Sequence, residues 1–535
     1  MKAPSLLNEL LAEQQQLTAV ERFAQRHEQN PERKSKYYED LIPLERPLAG
    51  QQYGFRVDLD SCTGCKACVS ACHSLNGLDE NETWRTVGLL HGGSPTEPYQ
   101  QTITSACHHC LEPGCLEGCP VLAYEKDPAT GIVRHLDDQC IGCQYCLLKC
   151  PYDVPKYSSS RGIVRKCDMC HGRLAQGEPP ACVQACPSGA ITIQIVSRRE
   201  LASGWAGSEG LVPGAFPSDY TKPATSYVSS NPFPRNCAPA DATTLRLEPA
   251  HWPLVWMLVL TQAAAGLFGA AWLAAIFAAT LGPAIRVLYV AGCLLLYVGL
   301  GASVFHLGRP LGAWRAFLGW RKSWMSREIM AFVVFAALAL GLAIGAYTHP
   351  GSSALSTLSA VTAGSGFLAV FCSAMIYVDT RRACWNAAAV FGRFLGTAVL
   401  LGASSSACCL AWTALPGRAP IEDARRFAAG MAIAAGVFLF AWETVGRKRA
   451  LRKPTAQGHR FAQITSTRLA GIVRARAALF VVATVSGLAA TLFSGPVGAG
   501  CATILLACTT AAQIAERYSF FVASAGPGMP GGVAS

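Results

Sequence analysis

The sequence predicts a two-part protein, with a small, cysteine-rich α+β domain followed by an all-α bundle of eight transmembrane helices. Sixteen of the 24 cysteines lie between Cys62 and Cys186, whereas apolar segments of spanning length fill residues 251–535. The charge also differs between the two parts. Residues 1–250 contain 23 Lys and Arg and 28 Asp and Glu, whereas residues 251–535 contain 22 Lys and Arg and 6 Asp and Glu. A chain of 535 residues is also too long for one compact core.

The composition argues against two common classes of protein. The cations of the second half lie in short loops between apolar runs, which is typical of membrane proteins and not of nucleic-acid binding. Many cysteines also characterise secreted disulfide scaffolds. However, the start, MKAPSLLNELLAEQQQL, has one lysine, acids at Glu9 and Glu13 and no sustained apolar core. We therefore expect no export signal and reduced thiols that hold metal.

The sixteen cysteines form four groups with C-x-x-C spacing, and three of the groups end in Cys-Pro. Three thiolates two residues apart wrap one [4Fe–4S] cube, and a fourth, often before proline, ligates the neighbouring cluster. Zinc, the alternative, needs only two C-x-x-C pairs and gains nothing from a third cysteine. The pattern favours four [4Fe–4S] clusters over zinc. The candidate ligands are Cys62, Cys65, Cys68 and Cys72, then Cys107, Cys110, Cys115 and Cys119, then Cys140, Cys143, Cys146 and Cys150, and finally Cys167, Cys170, Cys182 and Cys186.

Short secondary structure is expected around the groups. GIVRHLDDQC before the third group and GAITIQIV (189–196) after the fourth are typical of the small strands of ferredoxin-like units. Leucines at helical spacing within residues 5–29 predict an amphipathic helix, which docks a partner or packs on its own domain. The predicted parts are a helical extension (1–50), a double ferredoxin-like four-cluster domain (51–196), an extended Pro/Ser-rich linker (197–250) and a membrane anchor (251–535).

The order and spacing of the four groups resemble the four-cluster subunit of dimethyl sulfoxide reductase and its relatives, over roughly residues 53–196. Nitrate reductase relatives lose one cysteine to tryptophan and hold a three-iron cluster, but this chain has no such gap. The histidine in place of proline after the first group, His73, lies outside the ligand set. The resemblance implies crossed ligand sets: Cys62, Cys65 and Cys68 with Cys186; Cys167, Cys170 and Cys182 with Cys72; Cys107, Cys110 and Cys115 with Cys150; and Cys140, Cys143 and Cys146 with Cys119.

Eight apolar segments in series, with few charges, predict membrane spans rather than buried helices of a soluble protein. With eight spans, the cluster domain, the loops 2–3, 4–5 and 6–7 and the C-terminus share one side of the membrane. That side collects seventeen Lys and Arg, against four on the other side. The positive-inside rule therefore predicts that the clusters face the cytoplasm. The predicted spans are 252–277, 284–305, 329–347, 355–378, 394–414, 427–445, 477–493 and 497–514.

Three stretches of the second half resemble the eight-helix anchor subunit of the dimethyl sulfoxide reductase group. They are FHLGRPLGAWRAFLGWRKSWMSREI (305–329), which is also similar to sulfite dehydrogenase anchors, YVDTRRACWN (377–386) and ERYSFFVASAGPGMPGG (516–532). The chain therefore looks like two subunits fused into one, and such anchors exchange electrons with a quinone. In dimethyl sulfoxide reductase the clusters lie outside the cytoplasmic membrane, so the charge pattern here predicts the opposite orientation.

Ionisable residues at the cytoplasmic boundary are the candidate quinone site. His306 closes the second span, Arg309 follows it and Glu328 opens the third, and together they offer hydrogen-bond and proton-transfer groups. A structural ion pair is the alternative for these three residues. Structural pairing is favoured for Glu443, Glu516 and Arg393.

These patterns predict an electron-transfer and anchor subunit in the inner membrane, which links quinone or quinol through four clusters to a separate catalytic subunit. By resemblance, that partner contains molybdopterin and its substrate is sulfite, nitrate or a sulfoxide. The alternative is an ion-translocating, quinone-linked redox protein. Such a protein is expected to carry acidic residues near the middle of the membrane, and the sequence has none there. A cluster-based redox sensor is a third possibility, and it predicts a signalling module that the sequence does not show.

Overall fold

The computed structural model describes residues 37–205, 210–242, 244–277, 282–350, 352–413, 419–452, 456–524 and 528–529, together with Thr18, Glu21, Ala24 and Gln25. The helix that the sequence predicts within residues 5–29 therefore lies almost entirely outside the described residues. The described part confirms a small α+β region followed by a long helical region.

The cluster domain is closed by a sheet that joins its two ends. Strand β1 pairs antiparallel with β8, so that Tyr53 lies opposite Ile195 and Val57 opposite Ile191. Both strands place apolar side chains in the core, where Phe55 and Ile191 are buried. The strands of the domain are β1 (Gln51–Asp58), β2 (Thr86–Gly93), β3 (Pro98–Ser105), β4 (Tyr124–Lys126), β5 (Val133–His135), β6 (Lys156–Ser158), β7 (Ile163–Arg165) and β8 (Ile191–Ser197).

Three antiparallel hairpins alternate with the cysteine groups. They are β2–β3, β4–β5 and β6–β7. The predicted strands before the third group and after the fourth are present as β5 and β8. Short helices carry or follow the cysteines: α1 (Ala67–Asn76), α2 (Gly114–Gly118), α3 (Tyr145–Lys149), α4 (His171–Ala175) and α5 (Ala181–Gln184).

The segment predicted as a linker packs on the cluster domain. Helix α6 (Arg198–Gly204) follows β8 directly. Strand β9 (Ser226–Val228) then adds to β1 in parallel, and β10 (Ala238–Pro239) adds to β2. The part of this segment that the structure describes therefore extends two sheets of the domain before the polypeptide enters the membrane.

The helical region contains the eight predicted spans, and the structure confirms both their number and their positions. The first span is the most buried of the eight, and it packs against four other spans. The helices are α7 (Trp252–Phe277), α8 (Gly282–Val304), α9 (Trp324–Thr348), α10 (Ala354–Val378), α11 (Ala387–Thr413), α12 (Ala419–Arg452), α14 (Ala470–Leu492) and α15 (Gly495–Val522), with the short α13 (Ala456–Ser466) before α14.

Helices α7 and α11 cross at two glycines. A Cβ atom on Gly266 would lie 1.8 Å from the carbonyl oxygen of Ala398, and one on Gly402 would lie 2.3 Å from the backbone of Gly266. Small residues let helix backbones approach closely where lipid provides no hydrophobic driving force. The close contact of these two spans therefore depends on both glycines.

Replacing Gly266 with alanine should force the α7–α11 crossing apart. We expect a loss of stability of about 1–3 kcal/mol, because the obstacle is backbone that cannot rotate away. Thermal unfolding of the detergent-solubilised protein measures this loss. Gly430→Ala in α12 is the matched control, since a Cβ there meets no atom within 4 Å. Equal unfolding midpoints for the two variants would contradict the prediction.

Candidate metal centres and the membrane junction

The fold brings the cysteines together in crossed sets of four. Cys62, Cys65 and Cys68 line one cavity with Cys186, and we name this set quartet A. A second cavity is lined by a set that we name quartet B, and it also contains His108, Lys166 and Thr221. Quartet B consists of Cys107, Cys110, Cys115 and Cys150.

The other two sets are groups of neighbouring cysteines in the same crossed pattern. In quartet C, Cys140, Cys143 and Cys146 surround Cys119. In quartet D, Cys167, Cys170 and Cys182 surround Cys72, whose pKa is raised to about 12 by burial and by its neighbour Cys182. Thiols crowded in this way deprotonate readily only when they bind a metal, because neighbouring buried thiolates repel each other.

Backbone conformation turns amide groups towards the sulfur atoms. Gly142 has φ +69° and donates its N–H to Cys140 Sγ at 3.4 Å, while Ala123 donates to Cys119 Sγ at 3.2 Å. In quartet D, Met169 at φ +59° donates to Cys167 Sγ at 3.4 Å. The left-handed conformation favours glycine, which explains the Gly in CIGC. Such amide groups stabilise the negative charge of ligated sulfur.

Buried polar atoms fit a sulfur-rich cluster. Among the described residues, Nε and Nη2 of Arg85 and the hydroxyl of Tyr124 have no hydrogen-bond partner in the protein. Arg85 lies among cysteines of quartets A and D, and Tyr124 among cysteines of quartets B and C. No three His, Cys, Asp or Glu side chains in this part of the protein converge on a single metal ion. Donors without a partner in the protein therefore lie beside cysteines of all four quartets, and inorganic sulfide would supply acceptors for them.

Quartet C lies directly on the membrane helices. His306, after α8, hydrogen-bonds through Nε2 to the carbonyl oxygen of Cys143 at 3.1 Å. Arg309 donates from its backbone N–H to the Ile141 carbonyl and from Nη1 to the Asp137 carbonyl at 2.8 Å. Gly308 between them has no room for a side chain, because a Cβ would lie 2.1 Å from the carbonyl oxygen of Gly162. The HLGR sequence is thus a docking loop for the cluster domain.

The structure places the three predicted quinone residues at the junction with the cluster domain. His306 is half-buried beside His251, with ring centroids 5.2 Å apart, and burial together with His251 lowers its pKa to about 4. Glu328 in α9 is only 6% exposed and lies near Tyr145 of the cluster domain. Arg309 is exposed and its guanidinium binds the cluster domain. His306 therefore contacts Cys143 and Glu328 lies near Tyr145, so both residues meet the segment of the cluster domain that carries quartet C.

Sequence reasoning missed several residues that join the two domains. Lys149 of α3 forms a salt bridge with Asp379 at 2.7 Å. Tyr145 donates its hydroxyl hydrogen to the Ile376 carbonyl at 3.0 Å. Arg382 donates to the carbonyls of Leu147, Leu148 and Ser524. The charged residues Asp379 and Arg382 in YVDTRR were the available signal, but their partners in the cluster domain lie more than 200 residues away.

Two buried ion pairs link different spans, and a third lies within α15. Glu443 pairs with Arg476, and Glu516 pairs with both Arg393 and Arg517. These contacts satisfy the carboxylates within the protein, as structural pairing of Glu443, Glu516 and Arg393 requires.

These features define an iron–sulfur electron-transfer domain joined to a multi-pass membrane anchor. Residues 99–196 match the 4Fe-4S dicluster domain, and residues 248–521 match the DMSO reductase anchor subunit (DmsC) family. The chain therefore belongs to the DMSO reductase anchor subunit (DmsC) family, with an iron–sulfur domain fused in front of the anchor.

Three similar proteins each match part of the sequence. A subunit of the anaerobic dimethyl sulfoxide reductase of Haemophilus influenzae is 35% identical over 182 residues, which is 32% of this protein and 87% of the relative. The corresponding subunit from Escherichia coli K12 is 37% identical over 148 residues, 26% of this protein and 72% of the relative. Hydrogenase-2 operon protein HybA of Escherichia coli O157:H7 is 33% identical over 234 residues, 39% of this protein and 66% of the relative.

Proposed function

We propose that this protein connects the quinone pool of the inner membrane, through four [4Fe–4S] clusters, to a cytoplasmic catalytic subunit that contains molybdopterin. The observation that carries the proposal is the hydrogen bond between His306 and the carbonyl of Cys143. It joins a candidate quinone residue at the end of a membrane span to a cysteine of quartet C. The clusters, held by quartets A to D, supply one-electron transfer.

The quartets form a relay that starts at the membrane. Tyr124 lies among cysteines of quartets C and B, Lys166 lies against quartets B and D, and Arg85 lies among cysteines of quartets D and A. The order from the membrane is therefore C, B, D and A. Cys65 of quartet A is exposed, which supports a partner subunit that docks at this end. The names of the dimethyl sulfoxide reductase relatives support a reductase partner, and sulfite, nitrate and a sulfoxide remain its candidate substrates.

His306 and Glu328 handle the quinone and its protons in this proposal. A carbonyl only accepts hydrogen bonds, so the bond to Cys143 requires the hydrogen on Nε2 of His306. Nδ1 of the neutral ring is then an acceptor that suits a quinol hydroxyl. The buried Glu328 supplies a second polar contact, and Arg309 keeps the docking loop in place.

Replacing His306 with alanine or Glu328 with glutamine should reduce quinol-driven electron transfer by at least about 100-fold, because each variant removes a proton-transfer group. The clusters should remain visible by EPR after reduction with dithionite. His349→Ala, at an exposed position beyond the end of α9, is the control and should leave turnover unchanged. Turnover at the control rate in both test variants would remove these residues from the quinone site.

A tag on the amino terminus should be accessible only from the cytoplasm. The seventeen cations on the cluster side of the eight spans support this orientation. Protease digestion of right-side-out and inverted membrane vesicles measures it. Cleavage of the tag in right-side-out vesicles would place the cluster domain outside and refute the cytoplasmic orientation.

A further inference from the structure

Two buried cations occupy gaps between the quartets. Arg85 is 1% exposed and Lys166 is 3% exposed. Neither forms a salt bridge with a carboxylate in the part of the protein that the structure describes, although a buried charge normally requires such a partner. Their main charged neighbours are therefore cysteines of the quartets, and Lys166 also has Asp168 nearby.

Lys166 lies between quartets B and D. Its Nζ donates to the carbonyls of Val133 and Cys167 and to Cys107 Sγ, the last at 3.6 Å. Three acceptors use all three hydrogens of an ammonium group, so the geometry is that of a charged lysine. Cys115 of quartet B is a further neighbour. The fold therefore holds the charged ammonium group of Lys166 between quartets B and D.

Arg85 lies in the same way between quartets A and D. Its neighbours include Cys68 of quartet A and both Cys182 and Cys72 of quartet D. Only Nη1 has a partner, Thr104 Oγ1 at 3.2 Å, and that hydroxyl also contacts Cys68 Sγ at 3.5 Å. Nε and Nη2 have no protein acceptor among the described residues. A guanidinium remains charged at any physiological pH.

The gap between quartets B and C is different. Its buried side chain is Tyr124, a neutral phenol. His135, the neighbour of Cys140 in quartet C, pairs with Asp137, and Lys149 of α3 pairs with Asp379. The buried Arg382 has Cys384 and Cys150 as cysteine neighbours, and the carboxylates of Glu248 and Asp153 lie near it. Arg85 and Lys166 therefore place buried positive charge directly against cysteines of quartets A, B and D, whereas no Lys or Arg is found in this way against Cys119, Cys143 or Cys146 of quartet C among the described residues.

We propose that Arg85 and Lys166 raise the reduction potentials of the centres in quartets A, B and D relative to quartet C, and so draw electrons from the membrane towards the exposed end of the domain. The inference rests on the proposed clusters. Reduction adds one negative charge within a quartet and changes no bond, and a fixed positive charge nearby stabilises that added charge. The arrangement favours quinol oxidation with delivery of electrons to the catalytic partner.

Redox titration of the full-length protein, followed by EPR, tests the proposal. Lys166→Gln should lower the midpoint potentials of quartets B and D, and Arg85→Gln those of quartets A and D. Lys166→Arg and Arg85→Lys retain the charge and should stay close to wild type. Lys222→Gln is the control, because Lys222 is paired with Glu112 at the surface. Midpoints that do not move, or that move equally in quartet C, would overturn the proposal.

The unaltered protein provides a second test if a variant fails to take up iron. The EPR signal that is missing in Cys146→Ser belongs to quartet C, and in wild type it should have the lowest midpoint of the four. A higher midpoint for this signal than for the others would overturn the inferred direction of flow. Absence of iron from the wild-type protein would instead refute the proposed function, so the two failures are distinguishable.

Discussion

Replacing Cys146 with serine should stop electron transfer between quinol and the rest of the relay. Cys146 is buried in quartet C, which contacts the membrane helices through Cys143 and His306. A serine oxygen is a poor substitute for thiolate on iron, so this centre should be lost or damaged while quartets A, B and D keep theirs. Iron content should fall from about sixteen to about twelve atoms per chain if one cube is lost.

The distinguishing measurement compares two reductants on the same sample. Dithionite should reduce the remaining clusters in Cys146→Ser to the wild-type extent, whereas a quinol should reduce none of them on the wild-type time scale. Cys237→Ser is the matched control, because Cys237 is half-buried and outside all four quartets. Quinol-driven reduction at the wild-type rate would show that quartet C is not the entry point.

The sequence is sufficient to predict the elements of this fold because their signals are local. Cysteine spacing depends on how a short loop wraps a cube, and each span is set by about 20 consecutive apolar residues. The eight spans were therefore predicted at the right positions, although the structure adds several turns to some of them, as in α12, which extends to Arg452. These helices continue through charged residues beyond the apolar core of the membrane. Because those residues are not apolar, hydropathy does not predict these outer turns.

Contacts between distant segments could not be predicted in the same way. His306 was recognisable as an ionisable residue at a boundary, but its bond to Cys143 joins positions 163 residues apart. Arg309 has the same sequence signal as His306, yet its guanidinium binds Asp137 of the cluster domain. Similarly, Arg85 is an isolated charge in the sequence, and only the packing of β2 and β3 next to quartets A and D gives it an electrostatic role.

Replacing Arg382 with methionine should detach quartet C from the membrane helices. Arg382 is buried and donates to the carbonyls of Leu147 and Leu148 in the cluster domain and of Ser524 after the last span. Methionine fills similar volume but leaves three carbonyl groups without their donor. Each buried, unsatisfied polar group costs about 1–3 kcal/mol, so a loss of about 3 kcal/mol or more is expected. Thermal unfolding in detergent and quinol-driven cluster reduction measure the two consequences.

The neighbouring residue provides the control for this variant. Arg381 is exposed, and its guanidinium contacts the Tyr220 ring at 4.8 Å, so Arg381→Met should cost only about 0.5–1 kcal/mol. Dithionite should still reduce the clusters of Arg382→Met, because no quartet loses a cysteine, whereas quinol-driven reduction should be slowed as quartet C moves away from His306. If quinol-driven reduction and the unfolding midpoint of Arg382→Met both equal those of Arg381→Met, Arg382 does not hold the two domains together.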